Sequence, residues 1–172
     1  MSTNHRRRFN RAIVALCFVG GVTALAQTAR PEEERREAWQ KVDEIFSAMG
    51  VRPGATVADI GAGDGFFTAR LARAVGPEGR VFAVDIEDGA LTRLRTRLED
   101  DNIRNVSVVK GTATDPKLPE RTLDAALIVN AYHEMDQHQE VLAAVHRALK
   151  PEGRLVIVEP ISERRRASTR AE

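Results

Sequence analysis

The apolar positions of this chain follow two periods that alternate along the sequence. Near-continuous apolar runs predict five short strands, at Thr56–Ile60, Arg80–Asp85, Val106–Lys110, Asp124–Val129 and Arg154–Glu159. Between these runs, leucine, valine and alanine recur at helical spacing and predict helices over Phe66–Val75, Ala90–Glu99 and Gln137–Leu149. Alternation of this kind indicates a mainly parallel sheet with helices on both faces. We therefore predict an α/β, doubly wound fold.

A further helix is predicted ahead of the first strand, over residues 31 to 49. Pro31 suits the first helical position, and the acidic residues that follow it complement the positive end of the helix dipole. Apolar residues recur at three- and four-residue spacing and predict a packing face, formed by Trp39, Val42, Ile45, Phe46 and Met49. We expect residues 27–50 to form this helix and residues 51–160 to form the main domain. The charged stretch at residues 161–172 lacks apolar periodicity and is predicted to be a mobile tail.

The amino terminus has the pattern of a secretory signal peptide. Three arginines at positions 6–8 precede an uncharged apolar run at residues 12–26, which ends in Ala24, Leu25 and Ala26. The run is shorter than the ~20 residues that a membrane-spanning helix needs. We therefore expect residues 1–26 to be cleaved and the protein to be exported to the periplasm or secreted. An uncleaved membrane anchor is the alternative, and only then would the membrane be a partner.

The charge and the cysteine content argue against nucleic-acid binding and against thiol chemistry. The formal net charge is +1, and aromatic residues make up 5% of the chain, so we do not expect a nucleic-acid partner. The only cysteine, Cys17, lies in the predicted signal peptide. The mature chain would therefore have no disulfide and no thiol chemistry.

A glycine-rich turn follows the first predicted strand. In the run Asp59-Ile60-Gly61-Ala62-Gly63-Asp64-Gly65, glycines allow a sharp turn and a close approach to a ligand. The dinucleotide fingerprint G-x-G-x-x-G would place its third small residue at position 66, where Phe66 stands. Asp59 would also repel a pyrophosphate, whereas it would attract a sulfonium cofactor with its ammonium group. An NAD-dependent oxidoreductase is therefore the disfavoured alternative.

The D-I-G-x-G-x-G run resembles motif I of the class I S-adenosylmethionine-dependent methyltransferases. Asp85 ends the second strand, where that family has an acidic residue for the ribose hydroxyls, and Gly111–Pro119 resembles the adenine-side loop. Leu149–Leu155 resembles the turn and strand that close the motif set, so the resemblance extends over residues 31 to 160. It implies that S-adenosylmethionine is the cofactor and that the leading helix lies over the cofactor side. The residues it implies for cofactor binding are Asp59, Gly61, Ala62, Gly63, Gly65, Asp85, Ile86, Asp115 and Asn130.

Two alternatives stay open at these positions. Asp115 precedes a proline and could instead form the turn. The fourth strand is followed by Tyr132, His133 and Glu134, at the same edge of the sheet as the glycine loop. His133 or Glu134 could remove a proton from a small-molecule acceptor. Alternatively, Tyr132 packs, and Glu134 and Asp136 open the next helix.

A metal site is not expected. A zinc-protease motif needs two histidines four residues apart, whereas His138 follows His133 by five. The family to which the resemblance points usually continues, after the fifth strand, into two further strands. We therefore expect this chain to lack the last two strands, and a truncated or non-catalytic S-adenosylmethionine-binding domain is the alternative function. The oligomeric state is not predicted.

Overall fold

A computed structural model describes residues 31–160, and these form one five-stranded parallel sheet with helices on both faces. The strands lie in the order β3-β2-β1-β4-β5. All four neighbouring pairs are parallel. The strands are β1 Thr56–Ile60, β2 Arg80–Asp85, β3 Val106–Lys110, β4 Leu123–Val129 and β5 Leu149–Val158. This arrangement confirms the predicted α/β, doubly wound class.

Within residues 31–160, five α-helices and one short turn of 3-10 helix accompany the sheet. The α-helices are α1 Pro31–Gln40, α2 Val42–Met49, α3 Phe66–Val75, α4 Asp88–Asp100 and α5 His138–Ala148, and the 3-10 turn is Tyr132–Glu134. None of these helices has the length and apolar character needed to cross a membrane. The predicted signal peptide and the predicted tail lie outside the described residues.

The two faces of the sheet bury different helices. Val57 and Val81 point to the face that packs against α2 and α3, and Ala83 on the same face packs against α4. Ala58 and Ile60 point the other way and pack against α5. Alternate residues of a strand face opposite sides, so central strands covered on both sides are apolar at most positions on either face. That requirement explains the continuous apolar runs in β1 and β4.

The single helix predicted for residues 31 to 49 is wrong, because the chain breaks into α1 and α2. Lys41 adopts a left-handed backbone conformation, with φ of 53° and ψ of 47°. The break lets α2 bury Val42, Ile45 and Met49 on the sheet while α1 leaves it in a new direction. Trp39, on the far side of the break, is 75% exposed, so its predicted packing role is also wrong.

The start of β5 differs from the prediction as well. Leu149 pairs with Leu123, and the next pair joins Arg154 to Ala125, so residues 150–153 form an irregularity within the strand. The chain therefore enters the sheet at Leu149, ahead of the residues predicted to form a turn. Within the described residues β5 pairs with β4 alone. In this part of the chain it is therefore an edge strand.

Candidate functional site

The glycine loop leaves the carboxyl end of β1 at the point where the sheet order reverses. Neighbouring strands lie on either side of β1, with β2 reached first and β4 later. This is the switch point at which doubly wound sheets bind ligands. The N–H groups of Gly61 and Ala62 both donate to the carbonyl oxygen of Val84 at 2.9 Å, which fixes the loop on β2.

Two glycines of the loop are required by their surroundings. Gly61 has φ of +75°, and a Cβ there would lie 2.5 Å from the Cβ of Ala131. A Cβ on Gly65 would overlap the side chain of Leu94. Gly63 is different, because a Cβ added to it would meet nothing within 4 Å. The loop is therefore packed on two sides and open at Gly63, as a ligand that approaches the backbone requires.

Asp85 connects the end of β2 to the open part of the loop. Its Oδ2 accepts a hydrogen bond from the Gly63 N–H at 2.9 Å, and its Oδ1 accepts one from the Glu87 N–H at 2.9 Å. A carboxylate has about four acceptor positions, so both oxygens can accept further hydrogen bonds. Ile86 follows directly and is 55% exposed. The structure thus brings three of the predicted cofactor residues together.

Asp59 lies under the loop rather than at its surface. The residue is 2% exposed, and its Oδ2 accepts a hydrogen bond from the Thr68 hydroxyl at 2.6 Å. Burial raises the pKa of Asp59 to about 6, against the lowering effect of the hydrogen bonds from Thr68. Sequence reasoning missed Thr68. The available signal was its position within the first turn of α3, facing β1.

Helix α1 reaches the loop through charged side chains, in agreement with its predicted place on the cofactor side. Arg36 Nη1 donates to Asp64 Oδ2 at 3.1 Å, and the guanidinium lies 4.1 Å from the centroid of the Phe66 ring. Arg70 Nη2 donates to Glu37 Oε2 at 3.1 Å. These contacts join α1 to the start of α3.

Asp115 forms the turn of its own loop. Its Oδ1 accepts from the Lys117 N–H at 2.8 Å, and its backbone N–H donates to the Thr112 hydroxyl at 3.0 Å. The loop is attached to β2, because the Gly111 N–H donates to the Asp85 carbonyl oxygen at 3.0 Å. These contacts show that Asp115 forms the turn, as one of the two alternatives predicts. A further role toward adenine stays a prediction.

The chain after β4 carries the predicted proton acceptors. Asn130 has φ of +52°, and its N–H donates to the Val158 carbonyl oxygen at 2.9 Å. His133 Nδ1 lies 2.5 Å from Glu159 Oε2, a partner that sequence reasoning missed. Glu134 is 74% exposed, and its Oε1 lies 3.8 Å from His133 Nε2.

Packing at this end follows one of the alternatives weighed above. The ring centroids of Tyr132 and His138 are 4.6 Å apart, so Tyr132 packs against His138, as the packing alternative predicts. Glu134 belongs to the 3-10 turn rather than to the first turn of α5, which begins at His138. A Cβ added to Gly61 would lie 2.5 Å from that of Ala131, so the glycine loop and the end of β4 lie against each other. They meet at the carboxyl edge, where doubly wound sheets have their ligand crevice.

The sequence profile of the methyltransferase domain family matches residues 57–153 of the chain, which include the glycine loop, Asp85 and the end of β4. That span is more than half of the chain. The chain belongs to the methyltransferase domain family. Membership confirms the predicted class, an S-adenosylmethionine-dependent methyltransferase domain, and favours that cofactor over a nicotinamide dinucleotide.

Named relatives and solved structures agree with this assignment. The chain is 40% identical over 122 residues to the ubiquinone/menaquinone biosynthesis C-methyltransferase UbiE of Teredinibacter turnerae, covering 70% of this chain and 48% of that protein. The corresponding enzyme of Marinomonas sp. is 37% identical over 115 residues, covering 66% and 46%. A methyltransferase structure from Aquifex aeolicus superposes with a TM-score of 0.68 at 23% identity, covering 77% and 74%. The chain spans about half the length of the curated relatives it matches.

The methyltransferase domain also has a cavity at the opposite edge of its sheet. It encloses about 310 Å³ and is lined by Arg52, Asp124, Lys150 and Arg154 among others. Asp124 accepts from the Thr56 N–H at 2.8 Å and pairs with Arg52 and Lys150 at 3.3 and 3.0 Å. Burial would raise the pKa of Asp124, but these three partners outweigh it and hold that pKa below its usual value. We interpret this cluster as structural.

Potential metal ligands do not converge in the methyltransferase domain. Across residues 31–160 no three histidine, cysteine, aspartate or glutamate side chains come close enough to hold an ion.

Proposed function

We propose that this chain binds S-adenosylmethionine at the carboxyl edge of its sheet and transfers the methyl group to a small-molecule acceptor. The observation that carries the proposal is the joining of Asp85 to Gly63, because it places an open carboxylate and open backbone on one side of the crevice. Asp85 would accept hydrogen bonds from the ribose hydroxyls, and the loop from Gly61 to Gly65 would hold the methionine part. Bound there, the cofactor supplies a methyl group on a positively charged sulfur.

Buried charge supports a cationic ligand at this place. Asp59 is fully enclosed and its pKa of about 6 leaves it ionised at neutral pH, at a cost in desolvation. A ligand that brings an ammonium and a sulfonium group would offset part of that cost. A pyrophosphate would add to it. Asp59 therefore selects for charge whether or not it touches the ligand.

We propose a phenolic ring of the quinone-precursor type as the acceptor class. The relatives that share 36–40% identity with this chain are named C-methyltransferases of ubiquinone and menaquinone biosynthesis. Methyl transfer depends on bringing the acceptor atom into line with the methyl carbon and sulfur. The half-exposed His133 at the crevice could take part by removing a proton.

Calorimetric titration of the purified chain with S-adenosylhomocysteine, and separately with NAD, tests cofactor binding. We expect heat with the first and none with the second. A folded sample that binds NAD, or that releases no heat with S-adenosylhomocysteine, would contradict the proposal. Methyl transfer is tested next, with methyl-labelled S-adenosylmethionine and a short-chain 1,4-naphthohydroquinone as the acceptor probe.

We also propose that residues 1–26 direct the chain out of the cytoplasm. Support comes from their sequence pattern alone, namely the basic start, the apolar run and the Ala24-Leu25-Ala26 ending. Mass spectrometry of the protein purified from its native host would report a chain that begins after Ala26. An intact chain found in the cytoplasm would contradict this.

A further inference from the structure

The ends of β4 and β5 lie side by side and bring together two side chains whose roles are linked. Val129 and Val158 are the last paired residues of these strands. Just beyond them, His133 Nδ1 lies 2.5 Å from Glu159 Oε2. We propose that Glu159 is a positioning residue, which fixes the tautomer of His133 so that Nε2 accepts a proton from the methyl acceptor. This inference deepens the proposed function and rests on it.

The orientation of the Glu159 carboxylate is set by the backbone. Its Oε1 accepts a hydrogen bond from the Tyr132 N–H at 2.9 Å, which leaves Oε2 for His133. An ionised carboxylate can only accept hydrogen bonds, so His133 Nδ1 must carry the proton. In the neutral ring the other nitrogen, Nε2, then has the lone pair. The hydrogen bond thus selects one of two tautomers.

The surroundings of the pair leave Nε2 accessible. The His133 side chain is 52% exposed, whereas that of Glu159 is only 24% exposed. The other charged neighbour of the ring is Glu134, whose Oε1 is 3.8 Å from Nε2, beyond hydrogen-bond distance. The 3-10 turn that carries His133 is held by the Tyr132 ring against His138. A fixed turn with one free ring nitrogen suits a general base.

Methyl transfer from a sulfonium creates a need for such a base. The new bond joins the acceptor atom to the methyl carbon, and the sulfur–methyl bond breaks with its electron pair left on sulfur. The sulfur becomes neutral, so the acceptor must release one proton to balance the charge. In our proposal the hydroxyl proton of the acceptor moves to His133 Nε2, and the carboxylate of Glu159 stabilises the imidazolium. Where the new bond is to a ring carbon, that carbon then loses its proton and the oxygen regains one, which restores the phenol with one proton released overall.

This step narrows the acceptor class. A base of this kind is useful where the acceptor has a removable O–H proton, because loss of the proton raises the electron density of a phenol at oxygen and at ring carbons. It has no use for an acceptor that is already an anion or that lacks a proton to lose. The pair therefore favours a neutral phenol or hydroquinone.

Glu159→Gln separates positioning from packing. The Tyr132 N–H would hold the carbonyl oxygen of the new amide, which turns the NH₂ group toward His133 Nδ1. Because that group donates, Nδ1 must carry the lone pair and Nε2 the proton, which is the wrong tautomer for a base. A residue needed only for packing would tolerate this isosteric change better than Glu159→Ala.

The first measurement is the tautomer of His133, read from ring ¹⁵N shifts in the full chain without ligand, at a pH where the ring is neutral. His133→Gln assigns the signals, and Glu152→Gln, the same change elsewhere on β5, is the matched control. We expect a protonated Nδ1 in the unmodified chain and in the control, and a protonated Nε2 in Glu159→Gln. A protonated Nε2 in the unmodified chain, or no change in Glu159→Gln, would overturn the inference.

The second measurement is methyl transfer to the naphthohydroquinone probe, with S-adenosylhomocysteine affinity measured beside it. We expect Glu159→Gln to lower kcat about 100-fold, more than Glu159→Ala does, at unchanged affinity. A milder effect of Gln than of Ala would overturn the positioning role. If the unmodified chain fails to bind S-adenosylhomocysteine, the proposed function is wrong. The tautomer measurement needs no ligand, so it still decides whether Glu159 positions His133.

Discussion

The two halves of the carboxyl edge are built in different ways. In the half formed by β1 and β2, the ligand surface is backbone held in place by buried groups, with Asp59 2% exposed and Gly65 packed against Leu94. In the half formed by β4 and β5, the side chains that we propose act on the acceptor lie at the surface, and those of His133 and Glu134 are 52% and 74% exposed. The pairing of β1 with β4 joins the two halves, and beyond the last paired residues Gly61 lies against Ala131.

In the proposed function, this difference separates the cofactor site from the acceptor site. Changes in the first half must disturb the core, because its loop and its carboxylates are tied into strands and helices. Changes in the second half can alter the chemistry without a large cost in stability. A domain built this way can keep one cofactor while its acceptor varies.

Gly61→Ala should have the largest effect, because it strikes the contact between the two halves. Gly61 has φ of +75°, and the new Cβ would lie 2.5 Å from that of Ala131. Left-handed strain and overpacking together should lower the free energy of unfolding by about 4 kcal/mol. Urea denaturation followed by circular dichroism measures this.

Gly54→Ala is the matched control for that change. Gly54 has φ of +80° but nothing within 4 Å of an added Cβ. It should lose only the strain, about 1 kcal/mol. Equal losses of unfolding free energy in the two variants would show that the contact with Ala131 does not contribute to the effect of Gly61→Ala.

In the half formed by β1 and β2, Asp59→Asn should show how much the buried charge of Asp59 lowers the free energy of unfolding. Burial raises the pKa of Asp59 in the folded chain to about 6, whereas the ordinary value for an aspartate is 3.8. Between these values the folded state binds the proton more strongly, so the stability of the unmodified chain falls as pH rises from 4 to 6. Relative to it, Asp59→Asn should gain about 2 kcal/mol between pH 4 and pH 7.5.

Denaturation curves at the two pH values measure this gain. Asp100→Asn, at an exposed position of α4, is the control and should differ from the unmodified chain by the same amount at both. A pH-independent difference for Asp59→Asn would mean that its carboxyl group is not desolvated.

Asp85→Ala should weaken S-adenosylhomocysteine binding about 100-fold, through loss of charge-assisted hydrogen bonds to the ribose. The loss also frees the Gly63 N–H that Asp85 now holds at 2.9 Å. Asp88→Ala removes a carboxylate from an exposed ion pair with Lys110 and should leave affinity within about two-fold. Calorimetry compares the two, and equal affinities would refute the ribose role.

His133→Gln should have the smallest effect on binding and stability, although we expect it to stop methyl transfer. Affinity for S-adenosylhomocysteine should stay within about two-fold and stability within about 0.5 kcal/mol, as for surface changes in general. His146→Gln, on the exposed side of α5, is the control for both measurements and should keep its activity. Lost cofactor binding in a folded His133→Gln protein would show that the two halves are coupled.

The sequence predicts most of the sheet because buried strands have continuous apolar runs. The bounds of β1, β2 and β3 agree with the predicted ones. Two features depend on tertiary contacts and escaped prediction. The left-handed Lys41 is stabilised by the packing of α2, not by its own residue type, and the early start of β5 depends on Leu149 meeting Leu123.

In the half formed by β1 and β2, the glycine loop was predictable because its spacing is diagnostic, and Asp85 because it ends the next strand. The role of these residues toward the cofactor stays a prediction. The half formed by β4 and β5 was only partly predictable from the sequence. His133 could be chosen by residue type, but its partner Glu159 is 26 positions away, and the pairing depends on how far β4 and β5 extend. The usable signal was that both residues follow the last residues of neighbouring parallel strands.

Trp39 has a practical consequence for all of these measurements. It is the only tryptophan of the chain, it is 75% exposed, and it lies one turn along α1 from the Arg36 that binds the glycine loop. Its emission in the folded protein should already be close to that of an indole in water, so tryptophan fluorescence will barely register unfolding of the sheet. A change in emission at constant circular dichroism would instead signal movement of α1. The chain thus carries an intrinsic optical probe on the helix beside the crevice.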